Sequence, residues 1–180
     1  IWDEPFLQFS KSILDNKNQP FLATIFTITS HEPYIIPDKF NGMFDKGYLP
    51  IHKCVGYTDY SIRQFFKSVE KSSWFENTIF IFTSDHTNQS YFEYYQSTVN
   101  RFATPLLIYK KNSDFKGLDN RLASHLDIYP TVAELIGYKK PFRSWGRSLL
   151  SSKNESAFTI NYFGGGAYVS MDENFICVYD

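Results

Sequence analysis

Two short polar segments follow apolar runs and carry side chains that can do chemistry. Ser84-Asp85-His86 comes directly after the apolar residues 78–83, and Ser30-His31 comes directly after the apolar residues 21–29. A carboxylate beside an imidazole joins a hard oxygen to a borderline nitrogen. That pair suits Mn²⁺, Zn²⁺ or iron better than Ca²⁺, whose ligands are all oxygen. His31 can donate a hydrogen bond to a phosphate or sulfate oxygen.

Taken alone, these residue types leave structural interpretations open. Asp85 can cap a turn, and His86 and His31 can be ordinary loop histidines. The other two histidines are weaker candidates. His125 stands at a predicted helix start, where capping and packing explain it, and His52 lies in an irregular region and is assigned no role.

The apolar segments predict the strands that would position these residues. Residues 21–29, 78–83 and 105–109 are apolar or β-branched nearly throughout, as strands buried on both faces of a parallel sheet are. Strands that alternate with a helix predict a parallel α/β sheet. Because open sheets of this kind bind ligands at the carboxyl ends of their strands, both polar segments are expected on one rim.

Apolar periodicity predicts three helices. The first lies within residues 3–15, the second is capped by Thr58-Asp59 and runs to Val69, and the third follows Ser124 or Asp127. Between the first two, residues 34–50 lack any period and predict a long irregular excursion. The chain ends in three predicted short strands in an antiparallel hairpin arrangement: 157–162, 167–172 and 175–179.

Composition excludes several classes of partner. The 180 residues carry 18 Lys plus Arg against 19 Asp plus Glu, a net charge of −1, so no basic field exists to hold nucleic acid. No apolar run approaches the roughly 18 residues of a spanning helix. Cys54 and Cys177 fit neither a metal-type spacing nor a disulfide framework. Because Ile1-Trp2-Asp3 has the character of a domain interior, the natural protein is expected to extend upstream.

Several segments, taken together and in this order, resemble the sulfatase branch of the alkaline phosphatase superfamily. They are Phe80-Ile81-Phe82-Thr83-Ser84-Asp85-His86, Thr104-Pro105-Leu106-Leu107-Ile108-Tyr109, Ser124-His125-Leu126-Asp127-Ile128-Tyr129-Pro130-Thr131 and Trp145-Gly146-Arg147-Ser148-Leu149-Leu150. Three more segments look most like the lipoteichoic acid synthase and phosphoglycerol transferase group. They are Trp2-Asp3-Glu4-Pro5-Phe6, Thr29-Ser30-His31-Glu32-Pro33-Tyr34 and Tyr57-Thr58-Asp59-Tyr60-Ser61.

The resemblance implies an α/β fold: a three-layer, alkaline-phosphatase-like sandwich with a mainly parallel sheet and a C-terminal antiparallel hairpin. Residues 1–180 would be the carboxyl-terminal portion of the catalytic domain. The part that bears the nucleophile, a threonine in the transferases, would lie upstream together with an acidic metal ligand and a membrane-spanning portion. No catalytic nucleophile is therefore expected within these residues, and the fragment alone is expected to be inactive.

By the same resemblance, Asp85 and His86 would ligate a divalent metal, Mn²⁺ first, with Zn²⁺, Mg²⁺ or Ca²⁺ as alternatives. His31 would contact the phosphate group of the substrate. The implied activity is transfer of a phosphoglycerol-type group to a lipid- or glycan-linked acceptor, through a phosphothreonine-type intermediate, on the extracytoplasmic face of a cell membrane. Two alternatives stay open: a sulfatase that hydrolyses sulfate esters, and a degenerate, non-catalytic domain.

One position departs from the family pattern. Thr87 stands directly after the Asp-His pair, where the family usually has glycine. If the backbone there were left-handed, a threonine would be strained, so the loop geometry is expected to differ.

Overall fold

The computed structural model describes residues 1–97, 99–151, 157–163, 167–172 and 174–179. The chain divides into two units, Ile1–Phe115 and Lys116–Asp180. The first unit contains Asp85, His86 and His31, and the second contains the terminal strands.

Two packed helices form the base of the first unit. Helix α1 spans Asp3–Leu14 and confirms the first predicted helix. Helix α2 spans Pro50–Val69, so it begins eight residues before the predicted Thr58-Asp59 cap. Proline at the first helical position is the signal for this earlier start, because its fixed φ suits a helix and its missing N–H leaves no donor unpaired there. His52 therefore lies in the first turn of α2, not in an irregular region.

The apolar faces of α1 and α2 meet in a buried cluster made of Leu7, Leu14, Phe65, Val69, Trp74 and Phe75. A second buried cluster joins residues 34–40 to α2. It consists of Tyr34, Ile36, Phe40, Cys54 and Tyr57. The irregular excursion predicted for residues 34–50 is thus packed onto α2 and contains one short 3₁₀ turn, Asp38–Phe40.

Two strands of the first unit pair differently from the prediction. Strand β1 spans Phe80–Thr83 and strand β2 spans Leu106–Tyr109, inside the two predicted segments. They are antiparallel, with Phe80 opposite Tyr109 and Thr83 opposite Leu106. The predicted parallel pairing of these strands is therefore wrong. A parallel pair needs a crossover, usually an α-helix, and the described residues of the connection between β1 and β2 form no helix beyond short 3₁₀ turns.

Residues 21–29 were expected to form a buried strand, and the structure differs here too. The segment is extended but belongs to neither sheet of the described residues. Leu22, Phe26 and Ile28 are exposed, while Phe21 and Ile25 pack against the α1–α2 cluster. A strand keeps both faces buried only when neighbours cover them, and the described residues supply no neighbouring strand.

The second unit confirms the predictions for the C-terminal third. Helix α3 spans Ile128–Leu135 and follows a 3₁₀ turn, His125–Asp127, that Ser124 caps. Gly137 ends the helix with a φ of +72°, a left-handed backbone that glycine adopts without strain. The antiparallel strands β3, β4 and β5 span Phe158–Phe163, Ala167–Asp172 and Ile176–Tyr179. The predicted turn at residues 164–166 lies outside the described residues.

Candidate functional site

Asp85 and His86 stand just beyond the end of β1, on the surface of the first unit. The backbone N–H of His86 donates to Asp85 Oδ1 at 2.9 Å, and this turn brings Asp85 Oδ2 to 3.5 Å from His86 Nε2. The two side chains are 56% and 65% exposed, respectively. Neighbours on a regular strand would point to opposite faces, so the turn at the strand end is what brings these two groups together.

The ring of His86 is oriented by a backbone carbonyl. Its Nδ1 lies 2.8 Å from the carbonyl oxygen of Thr87. Because a carbonyl can only accept, Nδ1 carries the proton, and Nε2 of the neutral ring presents its lone pair beside Asp85 Oδ2. Metal-binding histidines are commonly oriented in this way, with the second nitrogen donating to a carbonyl or carboxylate.

The spacing of the pair fits a divalent metal. Two ligands at about 2.1 Å from one ion, separated by a near-tetrahedral angle, lie about 3.4 Å apart. The distance between Oδ2 and Nε2 is 3.5 Å. Within the described residues, however, no group of three or more His, Cys, Asp and Glu side chains could hold a metal. Asp85 and His86 can thus supply two ligands of a site that needs others.

Thr87 keeps an ordinary backbone and anchors the loop after the pair. Of the described non-glycine residues, only Tyr34 and Asn112 have positive φ, so Thr87 does not adopt the left-handed backbone that would strain it. Its hydroxyl donates to the backbone carbonyl oxygen of Arg101. A glycine could not make this bond. The loop geometry is therefore secured by a side chain.

His31 lies on a tight turn that follows the extended residues 21–29. Its backbone N–H donates to the carbonyl of Ile28 at 3.0 Å, and its exposed ring places Nδ1 3.1 Å from the carbonyl of Glu32. With Nδ1 engaged in this way, Nε2 is the ring nitrogen left to face a ligand.

Tyr34 lies beneath the turn that carries His31. Its buried phenol donates to Glu32 Oε1 at 3.5 Å. Burial, together with the Glu32 carboxylate, raises the pKa of Tyr34. The phenol consequently stays protonated and can donate at neutral pH.

Two pockets are lined by the loop that follows His86, and His86 itself lines the smaller of them. The smaller one, about 300 Å³, is lined by His86, Arg101 and Asn88 among others. It combines an imidazole with a guanidinium, the side chain best matched to a phosphate or sulfate group. Arg101 carries no spacing signal in the sequence, because it is an isolated arginine. Only the fold brings it to this pocket.

The larger pocket, about 430 Å³, is bordered by Tyr91, Phe92 and Tyr95, with Thr87 and Gln89 as polar neighbours. Thr87 and Tyr95 also line the smaller pocket. The side-chain amide oxygen Oε1 of Gln89 is buried without a hydrogen-bond partner, so the wall contains an acceptor that lacks a donor. This pocket therefore combines aromatic and polar residues and shares two of them with the smaller pocket.

The remaining histidines have structural surroundings. His52 Nδ1 accepts a hydrogen bond from the backbone of Tyr48 at 3.0 Å. His125 lies in the capped turn before α3, where the buried carboxylate of Asp127 accepts from the backbone N–H groups of Ser124 and Arg147, each at 2.9 Å. Asp127 is thus part of the cap of this turn, and the structural interpretation of His125 stays a prediction.

Comparison with known proteins places these features in a family context. Residues 1–138 match the Sulfatase family. The chain is 25% identical to lipoteichoic acid synthase 1 of Bacillus subtilis, over 94% of this chain and 30% of that protein. It is 19% identical to lipoteichoic acid synthase of Staphylococcus aureus, over 97% of this chain and 29% of that protein. The chain thus spans about a third of the length of these relatives.

A solved structure shares the fold. The crystal structure of a protein in the alkaline phosphatase superfamily from Vibrio parahaemolyticus matches with a TM-score of 0.69 and 27% identity. The match covers 100% of this chain and 47% of that chain. The α/β, alkaline-phosphatase-like class expected from the sequence is therefore confirmed, and so is the resemblance to the sulfatase branch.

Proposed function

Because the chain belongs to the sulfatase family, whose members act on sulfate and phosphate esters, we propose that it serves metal-dependent transfer of a phosphoglycerol-type group. The acceptor in this proposal is a lipid- or glycan-linked molecule of the cell envelope. The observation that carries the proposal is the pairing of Asp85 Oδ2 with His86 Nε2 at 3.5 Å, on a ring whose Nδ1 is engaged.

Each residue of the site has a role in this proposal. Asp85 and His86 hold a divalent ion, Mn²⁺ first among the candidates, and the family is generally metal-dependent. When bound, the ion supplies a positive charge that polarises the phosphate ester and activates an attacking hydroxyl. His31 and Arg101 hold the phosphate oxygens by charge-assisted hydrogen bonds. His86 Nδ1–H keeps the ring turned toward the ion.

The nucleophile in this proposal is a threonine outside these 180 residues. Its oxygen attacks phosphorus, the bond from phosphorus to the donor's alcohol breaks, and the proton passes to the departing alcohol. An acceptor hydroxyl then attacks the same phosphorus, the bond from phosphorus to the threonine oxygen breaks, and the acceptor's proton passes to that oxygen. Residues 1–180 would thus be the carboxyl-terminal portion of the catalytic domain and would be inactive alone.

The two pockets support a substrate with a charged part and a hydroxyl-bearing part. Arg101, in the pocket that His86 also lines, suits the phosphate. Tyr91, Phe92 and Tyr95 offer rigid apolar surface for a sugar or glycerol backbone, and the unpaired side-chain oxygen Oε1 of Gln89 offers an acceptor for a hydroxyl.

Because the acceptor is an envelope molecule, the proposal includes a membrane-anchored position on the extracytoplasmic face of the cell membrane. Among the described residues, no helix is long and apolar enough to cross a bilayer.

Sulfate ester hydrolysis is the second candidate, and the Sulfatase match favours it. Its modified cysteine or serine would also lie outside this chain. Cys54 is fully buried in α2, and neither it nor Cys177 stands in the C-x-P-S-R setting that the modification requires.

The test uses the full-length protein, incubated with Mn²⁺ and phosphatidylglycerol and then analysed by intact mass and peptide mapping. A glycerophosphoryl adduct on a threonine would support the transferase. An aldehyde-bearing residue derived from cysteine or serine would transfer the assignment to a sulfatase, and neither product would favour a non-catalytic domain. Asp85→Ala and His86→Ala should abolish the adduct, whereas Asp59→Ala, on an exposed α2 carboxylate, should leave it intact.

A further inference from the structure

Asp3, the first residue of α1, carries one of the most deeply buried carboxylates of the first unit. It is 1% exposed. Burying a carboxylate costs free energy unless hydrogen bonds compensate it. The hydrogen-bond partners of Asp3 therefore indicate which segments this side chain stabilises.

All three hydrogen bonds to this carboxylate come from groups near the His31 turn or on α2. Oδ1 accepts from the backbone N–H groups of Ile28 and Thr29, both at 3.0 Å. Oδ2 accepts from the hydroxyl of Thr58 at 2.7 Å. The backbone N–H of Asp3 also donates to Thr29 Oγ1 at 3.1 Å. Asp3 and residues 28–29 therefore hold each other at two points.

The hydrogen bonds between Asp3 and residues 28–29 form a clamp that lies immediately before the turn of His31. Ile28, held through its N–H, uses its carbonyl to accept from His31 N–H at 3.0 Å. In an ordinary sheet, a ladder of hydrogen bonds would fix the end of the segment at residues 21–29. Within the described residues this segment pairs with no strand, so Asp3 replaces the ladder.

We propose that Asp3 is a positioning residue for His31: its carboxylate fixes the backbone of Ile28 and Thr29 and thereby aims the imidazole at the substrate's phosphate. This inference rests on the role of His31 in the proposed function. Asp3 itself does not contact substrate. Misplacing a catalytic-site group by about 1 Å can lower a rate by about 10²-fold, so a loosened turn would be costly.

The test compares variants in the full-length protein. Asp3→Ala removes the clamp. Asp3→Asn keeps an oxygen that accepts from both amides, and its amide group can donate to the Thr58 hydroxyl, so it is the conservative rescue variant. Leu7→Ala is the matched control, because Leu7 is buried on α1 and its truncation destabilises the helix without touching the turn.

The first measurement is hydrogen exchange of the peptide spanning residues 26–33, followed by mass spectrometry at matched native stability. Asp3→Ala should raise deuterium uptake there, whereas Asp3→Asn and Leu7→Ala should not. Unchanged uptake in Asp3→Ala, or an equal rise in Leu7→Ala, would overturn the clamp whether or not the protein proves to be a transferase.

The second measurement is kcat/KM for glycerophosphoryl transfer. Asp3→Ala should lower kcat/KM by about 10²-fold, whereas Asp3→Asn and Leu7→Ala should each lower it by less than about threefold. The double variant Asp3→Ala with His31→Ala should have a kcat/KM no lower than that of His31→Ala alone. Losses that add in the double variant would overturn the positioning role. If His31→Ala itself retains full activity, the assigned role of His31 fails, while the exchange result still decides the clamp.

Discussion

His86 is oriented by the carbonyl of the residue that follows it. Thr87 O fixes the proton on Nδ1, and Thr87 Oγ1 in turn fixes the loop by donating to Arg101 O. Threonine at this position therefore contributes a hydrogen bond that the family's usual glycine cannot make. The departure from the family pattern is compatible with a working site, because the described backbone at Thr87 is not left-handed.

The metal assignment predicts a large effect of conservative substitutions. Asp85→Asn and His86→Gln preserve the size of the side chain, and each removes one ligand. Residues that only orient a metal ligand typically change metal affinity by roughly 10- to 100-fold. Each of these two variants should therefore weaken the affinity of the full-length protein for Mn²⁺ by more than that. Asp59→Asn removes a carboxylate that is paired with Arg63 on the solvent face of α2 and should have no effect. Isothermal titration with Mn²⁺ measures all three. Equal affinities in the first two variants and the parent protein would contradict the assignment.

The position of Arg101 predicts a separable effect on the phosphate. Arg101→Gln should raise KM for the phosphate ester by about tenfold, since a charge-assisted hydrogen bond contributes about 1.5–3 kcal/mol. Arg101→Lys should recover part of that loss because it keeps the charge without the planar fork. Steady-state kinetics of the two variants test this. A change in KM for Arg101→Gln no larger than that for Arg63→Gln, on the exposed face of α2, would exclude contact with substrate.

At the scale of elements, Asp15 ties the end of α1 to the segment after α2. Its carboxylate accepts from Ser72 Oγ and from Trp74 Nε1, each at 2.9 Å, and from the ammonium of Lys11. The hydrogen bond from Lys11 is the largest cause that lowers the pKa of Asp15 below its usual 3.8, with Ser72 and Trp74 adding to the effect. The folded chain therefore binds this proton less tightly than the unfolded chain does.

The direction of that shift fixes the pH dependence. The stabilisation is fully present above the unfolded value of about 3.8 and is lost as the pH falls below it through the folded value. Asp15→Asn should lower the free energy of unfolding by about 1 kcal/mol at pH 7 and by progressively less below pH 3.8. Urea unfolding at several pH values measures this. A deficit that does not change with pH would show that the charge of Asp15 does not contribute.

Element types were predictable from the sequence where the signal is local. The periodicity of α1 and α3, the Ser124 cap and the alternating C-terminal strands all depend on residues close in the chain. The start of α2 was missed because Thr58 resembles a helix cap, although its hydroxyl is used on Asp3. The pairing direction of β1 and β2 was missed because it is set by the connection between them, not by the composition of the strands.

In the candidate site, too, the residues marked by a local sequence pattern were predictable and those brought there by the fold were not. The residue types of Asp85, His86 and His31 were evident from the sequence, because each follows an apolar segment. Arg101 and Asp3 were not identified as functional candidates. Their roles depend on a pocket and on a contact 26 residues away, and no local pattern encodes either.

At the scale of the whole molecule, two features favour self-association of the 180-residue chain. Residues 21–29 are extended without a partner strand among the described residues, and they expose Leu22 at 91%, Phe26 at 67% and Ile28 at 57%. Unpaired strand backbone with apolar side chains is a template for pairing with another chain. The net charge of −1 provides little repulsion against such contacts.

A single charge on this segment should therefore weaken the association. We expect Phe26→Lys to raise the dissociation constant of the isolated chain by about tenfold, or about 1.4 kcal/mol, because pairing would have to desolvate the ammonium. Leu118→Lys is the control: it makes the same change in net charge at an apolar side chain that is 87% exposed in the other unit. Sedimentation velocity across a concentration series distinguishes the two. An equal shift in both variants would assign the association to net charge, and a chain that stays monomeric at every concentration would show that residues 21–29 do not recruit a second copy.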